Sequence, residues 1–499
     1  MKSVTYVLNR YLVYIISFAF IAFNLYQVSK DFMLMGLLPL ALVFVVIAIF
    51  RLDILLLTTV AFVPLSVPLS EVSSIDLSVD LWLPTEIFMI TTLFIIIVKR
   101  ITGETFNKKL LSHPVSIVIY LNLAVVLVTS ITSTMPLVSV KFFLSRLWFV
   151  VAFYFLAAEI FKDKQNMTRF LWAYIVPLLF VIGYTIARHV SYGIFDQQAA
   201  HFVMNPFYND HTSYGAILAL MIPVAAGLVI RSNTSAIYKL ISCMVLCVLV
   251  IAIILSYSRA AWVSLIVSAF VFIVVILRIR FRTLFIVVLI TMTFVLSQLT
   301  NITHEMEKNR QQSSANFSEH VMSISNIKTD DSNMERLNRW SCAWRMFLEK
   351  PVFGWGPGTY MFQYAPFQIS AEKTTISTNM GDRGNAHSEY LGPLSESGLF
   401  GMLSILSIVI VTLITGFRTY RKLKERNQRI ILLSVILGLI SYYIHGIMNN
   451  FLDTDKASAP FWGFTAIIVA LDVYSKKAEE NTTGNLTVPE SEDSVKSLK

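Results

Sequence analysis

The sequence predicts an all-α, polytopic integral membrane protein with about 14 transmembrane helices, in the range of 12 to 14, and one large loop outside the membrane. Of its 499 residues, 56% are hydrophobic and only 14% are charged, which leaves too little polar surface to cover a soluble globule. Long apolar runs recur along the chain, and a long polar stretch near residues 299–390 interrupts them.

The predicted helices are apolar runs of about 17 to 25 residues, which is the length needed to cross a bilayer. The first run is too long for the apolar core of a signal peptide and has no small-residue cleavage site, so we expect an uncleaved signal anchor. The runs lie near residues 11–29, 33–50, 52–69, 81–98, 115–134, 138–160, 169–187, 213–230, 239–256, 260–277, 282–298, 391–416, 430–448 and 459–474.

Lysine and arginine residues distinguish the two sides of these helices. With the N-terminus in the cytoplasm, basic clusters near residues 99–109, 278–282 and 418–429 fall on the cytoplasmic side, where positive charge is retained. The short connections on the other side carry only four basic residues, namely Lys30, Arg188, Arg259 and Lys456. Both termini are therefore expected in the cytoplasm, and the polar stretch outside it.

These boundaries divide the chain into four parts. Residues 1–298 form transmembrane helices 1–11, residues 299–390 form the large outer loop, and residues 391–475 form helices 12–14. Residues 476–499 are polar, without aromatic residues or periodicity, and predict a disordered cytoplasmic tail.

The large loop has structure of its own. Trp340, Trp344, Phe347 and Leu348 recur at helical spacing, which predicts an amphipathic helix over residues 334–349 on the outer bilayer surface. A turn-rich segment, Pro351-Val-Phe-Gly-Trp-Gly-Pro-Gly358, follows it.

Several function classes are disfavoured. The net charge of +9 arises largely from clusters between apolar runs, so it indicates topology and membrane lipids rather than nucleic acid. There is no Walker loop and no dinucleotide glycine fingerprint, which argues against an ATP-driven pump and a nicotinamide enzyme, and no cofactor is expected. Three cysteines, two of them one helical turn apart, predict no disulfide framework.

Arg259 is a candidate for anion binding. It lies in Leu255-Ser-Tyr-Ser-Arg-Ala-Ala-Trp262, between two long apolar runs with hardly any loop. A charge at membrane depth costs roughly 2.5 to 3.5 kcal/mol, so it is usually retained for a purpose. One interpretation is a guanidinium that binds a phosphate or diphosphate; the other is an interfacial arginine whose head group reaches water.

His387 is a candidate general base. It lies in Gly384-Asn-Ala-His-Ser-Glu-Tyr-Leu391, just before a predicted membrane entry and near Arg383, Glu389 and Glu396. A histidine beside an acidic partner can accept a proton near neutral pH. A loop histidine followed by glutamate is also common on ordinary protein surfaces.

Other charged residues are candidates for substrate contacts. Lys141 and Arg146 interrupt the sixth run, and they either bind an anionic lipid or pair with groups in the bundle. The connection 188–212 carries Arg188 and His211 together with two more histidines and Asp210. Their spacing matches no common metal-ligand pattern, so surface or substrate-contact roles are preferred and no metal is expected.

Three segments together resemble the O-antigen ligase and O-antigen polymerase superfamily of bacterial membrane glycosyltransferases. They are Ser256-Tyr-Ser-Arg-Ala-Ala-Trp262, Lys350-Pro-Val-Phe-Gly-Trp-Gly-Pro-Gly-Thr-Tyr360, and Asn385-Ala-His-Ser-Glu-Tyr-Leu391 continuing to Glu396-Ser-Gly-Leu-Phe-Gly401. The order of the motifs and the large outer loop fit the family over residues 205–450, whereas the first 200 residues fit by hydropathy only.

The resemblance implies a reaction at the periplasmic face of the bacterial inner membrane, with the large loop in the periplasm. A glycan on undecaprenyl diphosphate would pass to a hydroxyl of lipid A-core or a similar acceptor, without nucleotide or metal and with inversion at the anomeric carbon. Arg259 matches the family arginine that binds the lipid diphosphate, His387 the histidine that activates the acceptor, and Arg188 a second, upstream arginine. The chain departs from the family pattern in Ala260, where glycine is usual, and in the unusual surroundings of Arg188.

Three other functions stay open on the sequence. A polymerase would use a second lipid-linked repeat as its acceptor, and a protein O-oligosaccharyltransferase would use a side-chain hydroxyl. A transporter of an anionic solute would account for the many spans and for Lys141 and Arg146, but it has no need of a structured outer loop carrying His387.

Overall fold

A computed structural model describes residues 14–15, 17–26, 29, 49–72, 82–103, 105–279, 331–374, 377 and 384–484 of the chain. Helices dominate these ranges, which confirms the predicted all-α fold. Within them, the strands form one short antiparallel pair, in which Val67–Pro68 lies beside Trp82–Leu83. The chain divides into two compact units, Met1–Leu56 and Leu57–Lys499.

Three apolar helices precede the main bundle in sequence. They are Ser17–Tyr26 (α1), Leu52–Phe62 (α2) and Thr85–Ile101 (α3). Helix α2 passes into a 3-10 turn at Val63–Leu65, because Pro64 cannot donate a backbone hydrogen bond in a continuing helix. The apolar helix is therefore shorter than the run predicted at 52–69.

Nine helices in the described ranges are long and apolar enough to cross a membrane. They are Pro114–Ile131 (α4), Pro136–Ile160 (α5), Lys164–Tyr192 (α6), His211–Ile230 (α7), Ala236–Leu255 (α8), Arg259–Ile276 (α9), Leu391–Lys422 (α11), Arg426–Met448 (α12) and Asp455–Ser475 (the first part of α13, Asp455–Gly484). Helix α10, Asp331–Glu349, belongs to the large loop.

The remaining predicted spans lie largely beyond these ranges. The run near 282–298 and nearly all of the run near 33–50 are outside the described residues. Helix α13 extends to Gly484, past the predicted start of the tail at residue 476. Residues 485–499 are outside the described ranges.

The helices from α4 to α9 and from α11 to α13 alternate in direction, so their connections gather at two ends of the bundle. One end, called the site end below, carries the connections 132–135, 193–210, 256–258 and 449–454. Segment 350–360 also lies there, because Trp355 accepts a hydrogen bond from Thr134. The opposite end carries the connections 161–163, 231–235 and 423–425.

Helix α10 packs on the start of α11 at the site end. Its buried face contributes Cys342, Ala343 and Met346 to a small core that also contains Tyr360 and Tyr364. Its other face exposes Leu337, Trp344 and Leu348. The helix is amphipathic as predicted. Part of its apolar surface packs inside the protein, and the rest is exposed.

Segment 351–358 holds the first turns of α11 in place. The backbone of α11 breaks at Gly398, where φ is 67° and ψ is −163°. The break lets Leu399 N donate to Pro351 O at 2.9 Å, while Gly356 N donates to Glu396 O at 2.7 Å. Glycine is required at 398 because its φ is positive and an added Cβ would lie 2.3 Å from Val352 O.

We expect Gly398→Ala to destabilise the protein by about 1 to 3 kcal/mol, because it adds a clash at a positive-φ position. Gly183→Ala is the matched control, since Gly183 lies inside α6 and an added Cβ would meet nothing within 4 Å. Thermal unfolding of the purified protein in detergent measures both. A melting temperature for Gly398→Ala equal to that of Gly183→Ala would contradict the role of the break.

Candidate functional site

The candidate site lies at the site end, where the starts of α7 and α9, helix α10 and segment 384–390 approach one another. It contains four charged or titratable side chains, namely His211, Arg259, Arg336 and His387. Their positions follow from a helix cap, a tight turn and two hydrogen bonds from α10.

Arg259 is the first residue of α9. Helix α8 ends at Leu255, and the chain reverses through Ser256, Tyr257 and Ser258, with Tyr257 at a φ of 49°. Trp262 Nε1 donates back to Ile253 O at 2.9 Å and ties the two helices together. The backbone of Arg259 is therefore fixed at a helix N-terminus, where the N–H groups of the first turn and the helix dipole favour an anion.

His211 is the first residue of α7. Asp210 caps this helix, because its carboxylate accepts hydrogen bonds from Ser213 N and Thr212 Oγ1, both at 2.7 Å. The imidazole lies 4.0 Å from that of His201, measured between ring centroids. Arg259 and Arg336 are both close enough to His211 for their charges to interact with it.

His387 is held in a turn with a φ of 47°. Its N–H donates to Asn385 Oδ1 at 3.0 Å, and its carbonyl accepts from Trp340 Nε1 of α10 at 3.2 Å. Burial, followed by the charges of Arg336 and Arg339, lowers the pKa of His387 to about 4. The imidazole is therefore neutral near pH 7 and can accept a proton.

Arg336 and Arg339 on α10 were not predicted as site residues from the sequence. Arg339 is buried; its Nε donates to Glu335 Oε1 at 2.8 Å and its Nη1 to Asn385 O at 3.3 Å, so it anchors the segment that carries His387. Arg336 carries the charge that reaches both His211 and His387. The sequence signal for them is the spacing of two arginines three residues apart, which places both on one side of the amphipathic helix.

A cavity of about 550 Å³ adjoins His387. Its walls combine aromatic rings with amides and carboxylates, a composition suited to the hydroxyls and apolar faces of sugars. The residues lining it include Glu71, Trp82, Asn205, Phe207, Asp210, Asn385, His387, Asn450, Phe451, Asp453 and Lys456. Burial raises the pKa of Asp453.

Lys456 lines this cavity but directs its ammonium group into the protein. Its Nζ donates to Val63 O at 2.8 Å and to Ser66 O at 2.7 Å, and Ser66 Oγ lies at 2.5 Å. These partners use all three protons. The group also lies 4.9 Å from the Trp82 ring centroid, which favours a fixed structural position over contact with an anion.

Glu389 and Glu396 bind protein groups. Glu389 accepts from Tyr442 Oη at 2.7 Å and from the backbone of Phe451 and Leu452 at 2.7 and 2.8 Å. Glu396 Oε1 accepts from Tyr360 N at 3.0 Å. Both line a second cavity of about 90 Å³ with Arg146, which is buried.

The other predicted contacts occupy different places. Arg188 donates to Asn205 O at 2.7 Å and to Tyr184 Oη at 3.3 Å, so its guanidinium holds a connection at the site end. Lys141 lies on α5, outside the described lining of both cavities. Arg383 lies outside the described residues. Within the described ranges, no group of three or more His, Cys, Asp or Glu is placed to hold a metal ion.

Comparison with known proteins bears on the same part of the chain. A family model described as O-antigen ligase matches residues 244–406, which include Arg259, Arg336 and His387. No curated protein gives a significant match. Over residues 244–406 the chain is therefore similar to the O-antigen ligase family, which confirms the resemblance expected from the three motifs.

Proposed function

We propose that this protein is an O-antigen ligase-type glycosyltransferase, which moves a glycan from undecaprenyl diphosphate to a hydroxyl of lipid A-core or a similar acceptor at the periplasmic face. The observation that carries the proposal is the shared position of Arg259 and His387, which are distant in sequence but lie at one end of the bundle. Arg336 connects them, because its charge reaches both His211 beside Arg259 and His387 itself.

The diphosphate is expected on the side of α9. Arg259 and Arg336 supply two guanidinium groups that suit phosphate oxygens, and the N-terminus of α9 adds backbone N–H donors. Ser258 contributes a buried hydroxyl without a hydrogen-bond partner among the described residues. Together these groups stabilise the negative charge that grows on the leaving diphosphate.

The acceptor sugar is expected in the 550 Å³ cavity on the other side of His387. Among the described side chains that line the cavity, three are carboxylates, and the ammonium group of Lys456 is bound to Val63 and Ser66. Such walls favour neutral or amino sugars over sugars that carry carboxylate or phosphate, because like charges repel.

The reaction then needs one displacement. His387 removes the proton from the acceptor hydroxyl as its oxygen forms a bond to the anomeric carbon of the donor glycan. The bond between that carbon and the diphosphate oxygen breaks, and the electron pair leaves with the lipid diphosphate. A single attack from the opposite side inverts the anomeric centre, and the proposal requires no metal.

The orientation in the membrane rests on charge. Among the described residues, the opposite end of the bundle carries Arg231, Lys239, Arg421, Lys422 and Arg426, whereas the site end carries few exposed basic residues. The positive-inside rule therefore favours a cytoplasmic opposite end and a periplasmic site. The exposed Trp344 and Leu348 of α10 suit contact with the outer bilayer surface.

A polymerase or a protein O-oligosaccharyltransferase would differ in the acceptor alone, and the same residues would serve. A transporter of anionic solutes is a separate class, and it would use the arginines without a base. A transfer assay distinguishes these functions because each acceptor gives a different product.

We expect purified protein to transfer glycan from undecaprenyl diphosphate to a lipid A-core acceptor in the presence of EDTA. Arg259→Ala and Arg336→Ala should each lower the rate by about 10² to 10³-fold, because each removes charge stabilisation of the leaving group. Arg188→Ala removes a third arginine at the same end, and its rate should fall less, since that guanidinium binds Asn205 O and Tyr184 Oη.

The product identifies the acceptor, and comparison of the three arginine variants identifies which guanidinium groups stabilise the leaving diphosphate. Elongated lipid-linked glycan would indicate a polymerase, and glycosylated protein an oligosaccharyltransferase. Folded protein that transfers glycan to none of these acceptors would overturn the proposed function.

The pH dependence tests His387. In free enzyme the pKa of His387 is about 4, so kcat/KM should fall only as the pH approaches that value. Bound diphosphate offsets the charges of Arg336 and Arg339, which should raise the pKa and move the acid limb of kcat to higher pH. His387→Ala should lower kcat by about 10² to 10⁴-fold and remove that limb. Identical acid limbs for kcat and kcat/KM would contradict this account.

A further inference from the structure

Another large cavity lies at the opposite end of the bundle from His387. It is an apolar groove of about 840 Å³ between α7, α9 and α12. Its walls are formed mainly by apolar side chains, among them Ile230, Leu265, Ala269, Phe272, Ile276 and Leu433. The proposed transfer reaction uses none of these residues.

The separation of α9 from α12 opens this groove. Near the site end the two helices touch, with Ser264 Oγ 3.0 Å from Ser441 Oγ and Ser268 Oγ donating to Leu437 O at 2.8 Å. Beyond Ser268, Phe272 and Ile276 line one wall while α7 and α12 line the other. The groove thus extends from the middle of α9 to its last turn.

The length of the groove matches one leaflet of a bilayer. From Leu265 to Ile276, α9 rises by about 16 Å at 1.5 Å per residue. Half of a hydrocarbon core is roughly 15 Å. An acyl chain lying along the groove would therefore reach from the membrane interface to the midplane.

Basic residues surround the groove where it reaches the interface. Lys424, Arg426, Arg429 and Tyr420 line this end. The Arg429 guanidinium lies 4.7 Å from the Tyr420 ring centroid, and its Nε is buried without a hydrogen-bond partner among the described residues. The nearby Glu425 carboxylate accepts from Gln428, so it is engaged within the protein.

We propose that this groove is a binding site for an anionic phospholipid of the leaflet at the opposite end. One acyl chain lies between α7, α9 and α12, and the phosphate binds Arg426 and Arg429. Charge complementarity favours this occupant over a neutral lipid, because the arginines offer donors that suit phosphate oxygens. A polyprenyl tail entering from the Arg259 side would use the apolar walls but would leave this basic end unexplained.

Native mass spectrometry of the full-length protein in detergent tests the site. The probes are phosphatidylglycerol and phosphatidylcholine with the same acyl chains. Wild type should bind phosphatidylglycerol more tightly, and Arg426→Gln/Arg429→Gln should weaken that binding about tenfold or more. Arg421→Gln/Lys422→Gln removes the same charge from the end of α11, outside the groove, and should leave binding nearly unchanged.

A second variant tests the apolar part. Ala269→Trp fills the groove and should reduce the binding of both lipids, whereas the arginine variant should reduce phosphatidylglycerol binding alone. Equal loss in the two charge variants would indicate a general surface effect and overturn the site, and so would equal wild-type affinity for the two lipids. Glycan transfer is measured separately, so these outcomes do not depend on the proposed reaction.

Discussion

The buried carboxylate of Glu389 attaches segment 384–390, which carries His387, to the end of α12 and the connection that follows it. It accepts from Tyr442 Oη and from the backbone N–H groups of Phe451 and Leu452, while its own N–H donates to Gly446 O at 2.7 Å. An unpaired charge at this depth would cost several kcal/mol, so these hydrogen bonds fix segment 384–390 against α12 and connection 449–454. His387, two residues earlier, is therefore held from two sides, by this attachment and by the hydrogen bonds from α10.

Much of the fold could be predicted because transmembrane helices are long, local and apolar. The runs predicted at 239–256 and 260–277 correspond closely to α8 and α9, and the tight turn before Arg259 follows from the short gap between them. The shortened α2 was harder to predict, since hydropathy does not register that Pro64 ends a helix. Packing between distant segments, such as 351–358 on α11, depends on backbone geometry at Gly398 that composition does not reveal.

In the candidate site, too, features set by the local sequence could be predicted, whereas contacts between distant segments could not. Arg259 and His387 stood out because each is polar beside apolar runs. Arg336 did not stand out, because its closeness to His211 and His387 depends on packing between segments that are far apart in the sequence. Arg188 lies at the site end but donates hydrogen bonds to Asn205 and Tyr184. Arg336 of α10 is instead close enough to His211 and His387 for its charge to interact with both. An amphipathic pattern alone could not indicate that the polar edge of α10 faces the site.

The arginines and His387 form a coupled arrangement. The positive charges that would hold a diphosphate also help to lower the pKa of His387 to about 4, which makes it a weak base in the free protein. A base is most effective when its pKa lies near the working pH. Binding of the anionic donor would offset those charges, so the imidazole would gain basicity only when a leaving group is in place. Proton removal from the acceptor would then depend on donor binding through the charge of the diphosphate.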